Sequence, residues 1–145
     1  MPAKHDIVAY QGDNFILHVH YQDENGNSIS VPSPTYSANM QVRRSTDASK
    51  ILLNLTSNPY SSILGCTAGI TGGGTARTSC TGGIVMNRSE GDTGDLNGGI
   101  YIFAGATAMG YVPTGRHLYD LEITATGGSI RLLQGRFDCV GEITR

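Results

Sequence analysis

A two-residue period near the end of this chain limits its folding options more than any other feature. After Arg116, the residues His117, Tyr119, Leu121 and Ile123 fall on one side, and Asp120, Glu122 and Thr124 fall on the other. Side chains alternate across a β-strand, so this spacing predicts a half-buried antiparallel strand. Ala125-Thr126-Gly127-Gly128 supplies turn residues, and a second apolar-rich run continues from Ser129 to Phe137. Two such runs around a Thr-Gly-Gly step predict a β-hairpin.

The same period recurs upstream. Ile7–Tyr10 reads as a short first strand, broken by Gln11-Gly12-Asp13. Phe15, Leu17, Val19 and Tyr21 share one face of the next run, and His18 and His20 lie on the other. Asn25-Gly26 supplies the residues a tight reversal needs. Val31-Pro32-Ser33-Pro34 is extended connection, because proline donates no ladder hydrogen bond. Tyr36, Ala38, Met40 and Val42 alternate with Ser37, Asn39, Gln41 and Arg43, and Ile51, Leu53 and Leu55 alternate with Leu52, Asn54 and Thr56. Ile100–Phe103 resumes regular structure, Ala104–Gly110 could make one helical turn, and Val140–Arg145 reads as a last short strand. With 20 glycines, no tryptophan and 15% charged residues among 145, the composition favours strands and turns over helices. Seven or eight short strands predict an all-β chain, an immunoglobulin-like antiparallel β-sandwich forming one domain over residues 1–145. Residues 57–97 break the pattern with Gly-Gly steps, Thr, Ser and Asn, and read as a long Gly-rich insertion, a surface loop or extended hairpin in which only Ile84-Val85-Met86 resembles a strand.

Several classes of function are disfavoured. The net charge of −2 offers no electrostatic footprint for nucleic acid. Apolar runs are too short for a membrane-spanning helix. Met1–Asp6 has no apolar signal core, so synthesis in the cytosol is expected. His18 and His20 could supply two zinc ligands, yet no complementary set accompanies them. Asp92, Asp95 and Asn97 could offer oxygens to calcium but lack the EF-hand spacing. Asp120 and Glu122 imitate a glycosidase carboxylate pair, though charges on the wet face of a strand are the ordinary case. The expectation is no catalytic residue, no cofactor and no metal. Cys66 and Cys80 either close a disulfide loop or pack as two free thiols.

Three stretches carry a likeness beyond pattern. Tyr10-Gln11-Gly12-Asp13-Asn14-Phe15 runs into Tyr21-Gln22-Asp23-Glu24-Asn25-Gly26. Ala38-Asn39-Met40-Gln41-Val42-Arg43 precedes the strand at Ile51. Pro113-Thr114-Gly115, Tyr119-Asp120-Leu121-Glu122-Ile123 and Leu132-Leu133-Gln134-Gly135-Arg136-Phe137 close on Glu142-Ile143-Thr144-Arg145. Over about two-thirds of the chain this resembles small phage virion proteins similar to the immunoglobulin-like N-terminal domain of baseplate upper proteins.

The resemblance implies a non-enzymatic bacteriophage structural protein. It would sit in the tail or baseplate, in several symmetric copies, as an adaptor for fibres or neighbouring virion proteins, without nucleic acid or membrane partners. A capsid cement or decoration protein is the alternative. A carbohydrate-binding module is a third, with Tyr60, Tyr101 and Tyr111 as its platform, weakened by the lack of tryptophan. The interface candidates are His18, His20, Tyr60, Ile70, Arg77, Tyr101 and Tyr111.

Overall fold

A computed structural model describes residues 3–31, 35–45, 51–57, 62–63, 82–89, 94–110 and 112–141. Ten strands occur among the described residues: β1 (Ala3–Lys4), β2 (Ile7–Tyr10), β3 (Phe15–His20), β4 (Ser37–Arg43), β5 (Leu53–Thr56), β6 (Ser62–Ile63), β7 (Gly82–Arg88), β8 (Asp95–Ala104), β9 (Gly115–Ala125) and β10 (Gly128–Val140). They form an all-β, two-sheet structure. The larger sheet runs β1-β10-β9-β4-β5-β6, with β2 also on β10, and the smaller runs β3-β8-β7. The expected hairpin is β9–β10, with Ala125 opposite Gly128.

The core lies between the sheets. Ala38, Met40 and Val42 of β4, Leu53 and Leu55 of β5, and Tyr119, Leu121 and Ile123 of β9 pack in one cluster with Phe15, Ile84, Ile100 and Ile102 of the smaller sheet. Those of β4 and β9 are the inward members of alternating runs, so there the period of the sequence becomes the buried layer of the fold. Phe137 is fully buried and meets Phe15 edge-on, with ring centroids 5.4 Å apart. One helical turn, α1 (Ala106–Met109), adjoins β8. Its first amide donates to Asn14 Oδ1 at 2.8 Å, and Met109 and Val112 are buried.

Two expectations change. The stretch 57–97 is not wholly an insertion: β6, β7 and the start of β8 lie inside it, and Ile84 and Met86 are buried. The fragment Ile84-Val85-Met86 is the centre of β7; composition showed no more of it because its opening glycines pack no side chain, while its ladder to β8 supplies the order. Second, β8 begins five residues before Ile100. The residues Cys66, Cys80, Tyr60, Ile70, Arg77 and Tyr111 lie outside the described residues, as does the end of the last expected strand.

The N-terminal strand is laid parallel on β10 in two pieces, β1 beside Leu133–Gln134 and β2 beside Phe137–Val140. Three local features hold the break between them. The His5 amide donates to Gln134 O at 3.0 Å. The Arg136 amide donates to Asp6 Oδ1 at 3.0 Å, a side chain standing in for a ladder carbonyl. A Cβ on Gly135 would lie 2.4 Å from His5 O, so only glycine admits the approach.

The Tyr119 hydroxyl donates to that same His5 carbonyl. Burial, and secondarily the Asp6 carboxylate, push its pKa up to about 12 from 10.0. The native state then holds the phenol proton more tightly than the unfolded chain does. This contribution is intact below pH 10 and is lost as pH rises from 10 toward 12. Tyr119→Phe is expected to lose about 1 kcal/mol at neutral pH, yet to decline less than the parent across this alkaline window. Urea titrations of both proteins from pH 8 to 12 measure the difference (the window set by the raised pKa). Parallel declines would remove Tyr119 as the alkaline-sensitive group.

Candidate interaction surface

The outer face of the larger sheet carries a concavity of about 700 Å³. It is built where β1, β4, β9 and β10 turn polar positions outward, opposite the buried ones. Lys4, Arg43, Arg131 and Arg136 line it together with Asp6 and Asp120, leaving cationic side chains in excess in a chain of net negative charge. Arg131 Nε lies 3.2 Å from Asp120 Oδ2. Arg136 Nη2 lies 3.7 Å from Asp6 Oδ2 and 4.0 Å from Asp138 Oδ2, and Arg116 Nε lies 3.9 Å from Asp138 Oδ1. Arg43 Nη2 donates to Gln41 Oε1 at 3.0 Å. Exposed ion pairs contribute only about 0–1 kcal/mol each. This lattice therefore does little for the fold; it places guanidinium and carboxylate groups side by side on an open face. Asp120 is spent on Arg131 there, on an open sheet face.

A second polar cluster lies on the outer face of the smaller sheet. His18 Nε2 lies 2.9 Å from the Arg88 carbonyl, which can only accept, so this nitrogen carries the proton. His20 Nε2 lies 3.1 Å from the Asn97 carbonyl and 2.8 Å from Ser28 Oγ. The same logic makes it a donor. Both Nε2 atoms are engaged, His18's with the end of β7 and His20's with Ser28 and Asn97, and have no lone pair for a metal. Among the described residues, no group of three or more His, Cys, Asp or Glu side chains could hold an ion.

Asn87 organises this end of the sheet. It adopts a φ of 53° and accepts amide hydrogens from Val31 at 2.9 Å and Gly98 at 3.1 Å, while its Nδ2 donates to Ser30 Oγ at 3.0 Å. Asparagine tolerates the left-handed region, and its amide satisfies loop groups that no strand reaches. The sequence reading missed it, although an Asn next to the end of an apolar run was its available signal.

Of the interface candidates, His20 is exposed and His18 half-buried. Tyr101 is a correction: it is fully buried and offers no platform. Ile100, Ile102 and Ala104 face the core between the sheets, so Tyr101 and Phe103 occupy the other face of β8, and both are buried as well. A strand buried on both faces reads as a continuous apolar run, as Ile100–Ala104 does. Cys139 is a free, buried cysteine whose thiol is pushed up by burial, so it behaves as a small apolar group. No helix in the described residues is long and apolar enough to cross a membrane.

A scan against protein-family models and a search of curated proteins find no match to this chain.

Proposed function

We propose that the protein is a structural component of a bacteriophage virion, built on an immunoglobulin-like sandwich and acting in the tail or baseplate as an adaptor between neighbouring proteins. The observation that supports the immunoglobulin-like part of this reading is the strand order. In a variable-type immunoglobulin sandwich, the sheet holding the last two strands and the third gains two further strands beside the third, and the other sheet stays small. Here β10, β9 and β4 are followed by β5 and β6, against β3-β8-β7. His117, near the start of β9, has Nε2 2.7 Å from Pro113 O, four residues upstream. This parallels the side-chain-to-backbone bond that such folds place at that corner. The inter-sheet disulfide of antibody domains has no counterpart among the described residues, since Cys139 is free.

The adaptor role rests on the sequence resemblance and on the outer face, whose excess of cationic side chains suits carboxylate-bearing partner surfaces. Burial of Tyr101 counts against a carbohydrate platform. Quantitative mass spectrometry of purified particles tests the proposal. On the order of ten copies per particle is expected for a ring-symmetric baseplate component. Hundreds of copies would move the protein to the capsid as a decoration protein, and absence from particles would end the virion reading.

A further inference from the structure

The two sheets present four edges, and three of them are defended among the described residues. The β1–β2 edge is broken at His5–Asp6. β6 has only two residues. β7 carries a register shift between Met86 and Arg88, with Asn87 in the left-handed region. Short, broken or bulged edges resist pairing with another chain. β3 has none of these features. It is six residues, Phe15-Ile16-Leu17-His18-Val19-His20, without proline, glycine, Lys, Arg, Asp or Glu. Among the described residues it pairs only with β8.

The ladder fixes which groups are left over. The Tyr21 amide donates to Gly98 O at 2.7 Å. Because donors alternate along an antiparallel strand, Leu17 and Val19 spend their amides on β8, and Ile16, His18 and His20 direct theirs to the open side. The His18 ring is tied to Arg88 on β7 and does not crowd that side. Ile16 remains 51% exposed. A cleft of about 310 Å³, lined by β2 and β3, leaves room beside the strand. Val8 and Tyr10, among the most exposed apolar side chains, stand on its β2 wall.

We propose that β3 is a self-pairing edge, which joins antiparallel to β3 of a second copy about a two-fold axis at His18. In that register the three outward-directed residues all find partners: His18 opposite His18 of the second copy, and Ile16 opposite its His20. The parity is correct for hydrogen-bonded pairs, and the side chains that meet share a face. A second copy suits the edge for two reasons. The strand bears no formal carboxylate or cation, so identical edges meet without fixed like charges, and a two-fold contact closes both open edges at once. The product is a continuous six-strand sheet, β7-β8-β3 followed by β3-β8-β7 of the second copy. This inference rests on the geometry of β3 and holds whether or not the protein belongs to a virion.

Sedimentation equilibrium of the full chain across the micromolar range, with hydrogen exchange on the same samples, tests it. The expected result is a concentration-dependent shift from monomer to dimer. Exchange at the Ile16, His18 and His20 amides should slow at least about tenfold as the dimer forms, while the Leu17 and Val19 amides stay protected throughout. Ile16→Lys places a charge on the edge at an exposed site. It is expected to remain monomeric at every concentration with an unchanged melting temperature when dilute. A chain that stays monomeric, or a dimer in which those three amides exchange at their monomer rates, overturns the proposal. So does protection of the three amides in the monomer, which would mean that this chain's own residues cover the edge. Protection arising only inside a particle would assign the edge to a different protein and equally end the two-fold model.

Discussion

Phe137→Ala is expected to destabilise the protein by about 3–5 kcal/mol, the range for emptying a buried aromatic site. Phe137 is fully buried on β10 at the meeting point of three elements. Its backbone stands opposite Ile7 of β2 and His117 of β9. Its ring meets Phe15 at 5.4 Å and 67° and Tyr119 at 6.5 Å and 69°. Truncation forfeits the burial of the ring and both edge-on contacts, and leaves a void that strands pinned by ladders on both sides cannot close. Most marginally stable domains have about 5–15 kcal/mol in total, so the variant should lose much of its margin. Urea unfolding gives the value directly. Phe137→Leu, which refills most of the volume, should lose clearly less. A loss below about 1 kcal/mol for the alanine variant would contradict the packing described.

Gly99→Ala should destabilise by about 3 kcal/mol through the opposite error, too many atoms rather than too few. A Cβ at this position would lie 2.2 Å from Arg88 O and 3.0 Å from Arg88 C. These are backbone atoms of the neighbouring strand, displaced toward β8 where the register shifts at Asn87. They cannot swing aside as the end of a side chain can. The same Cβ would lie 3.2 Å from His18 Nε2, the atom that bonds Arg88 O. Relief therefore requires β7 and β8 to separate at the bulge, with loss of the Asn87 bonds to Val31 and Gly98. Gly127→Ala in the β9–β10 turn is the control. Nothing lies within 4 Å of its Cβ, so it should stay within about 0.5 kcal/mol of the parent. Equal effects at the two glycines would refute the bulge geometry as the cause.

The candidate interaction surfaces were legible only in part. His18 and His20 were singled out by their spacing, and both sit on the outer face of the smaller sheet, which also carries the buried Tyr101 and Phe103. Tyr101 was misplaced because period-two reasoning assigns one face of a strand to water, and β8 has no wet face at Tyr101 and Phe103. The lattice around Arg131 and Asp120 was not anticipated. A simple count back from the Thr126-Gly127 turn sets Arg131 opposite Glu122, as observed, but the register shift after Arg131 puts Leu133 opposite Leu121 and Gln134 opposite Asp120. One extra residue on one strand of a pair moves every later neighbour, and nothing in Leu132 itself announces it.

What a strand is, and which of its sides is apolar, could be read from neighbouring residues alone, because alternation is a local property of an extended backbone. His117, Tyr119, Leu121 and Ile123 declared their face in this way, as did Ala38, Met40 and Val42. The partner of each strand was a different matter. Ile7–Tyr10 lies parallel to Phe137–Val140 at the far end of the chain, and the fragment Ile84-Val85-Met86 gave no sign that its partner was β8. Backbone amides and carbonyls are chemically alike along the chain, so their pairing was settled only when the two apolar layers closed on each other and left each ladder one set of neighbours.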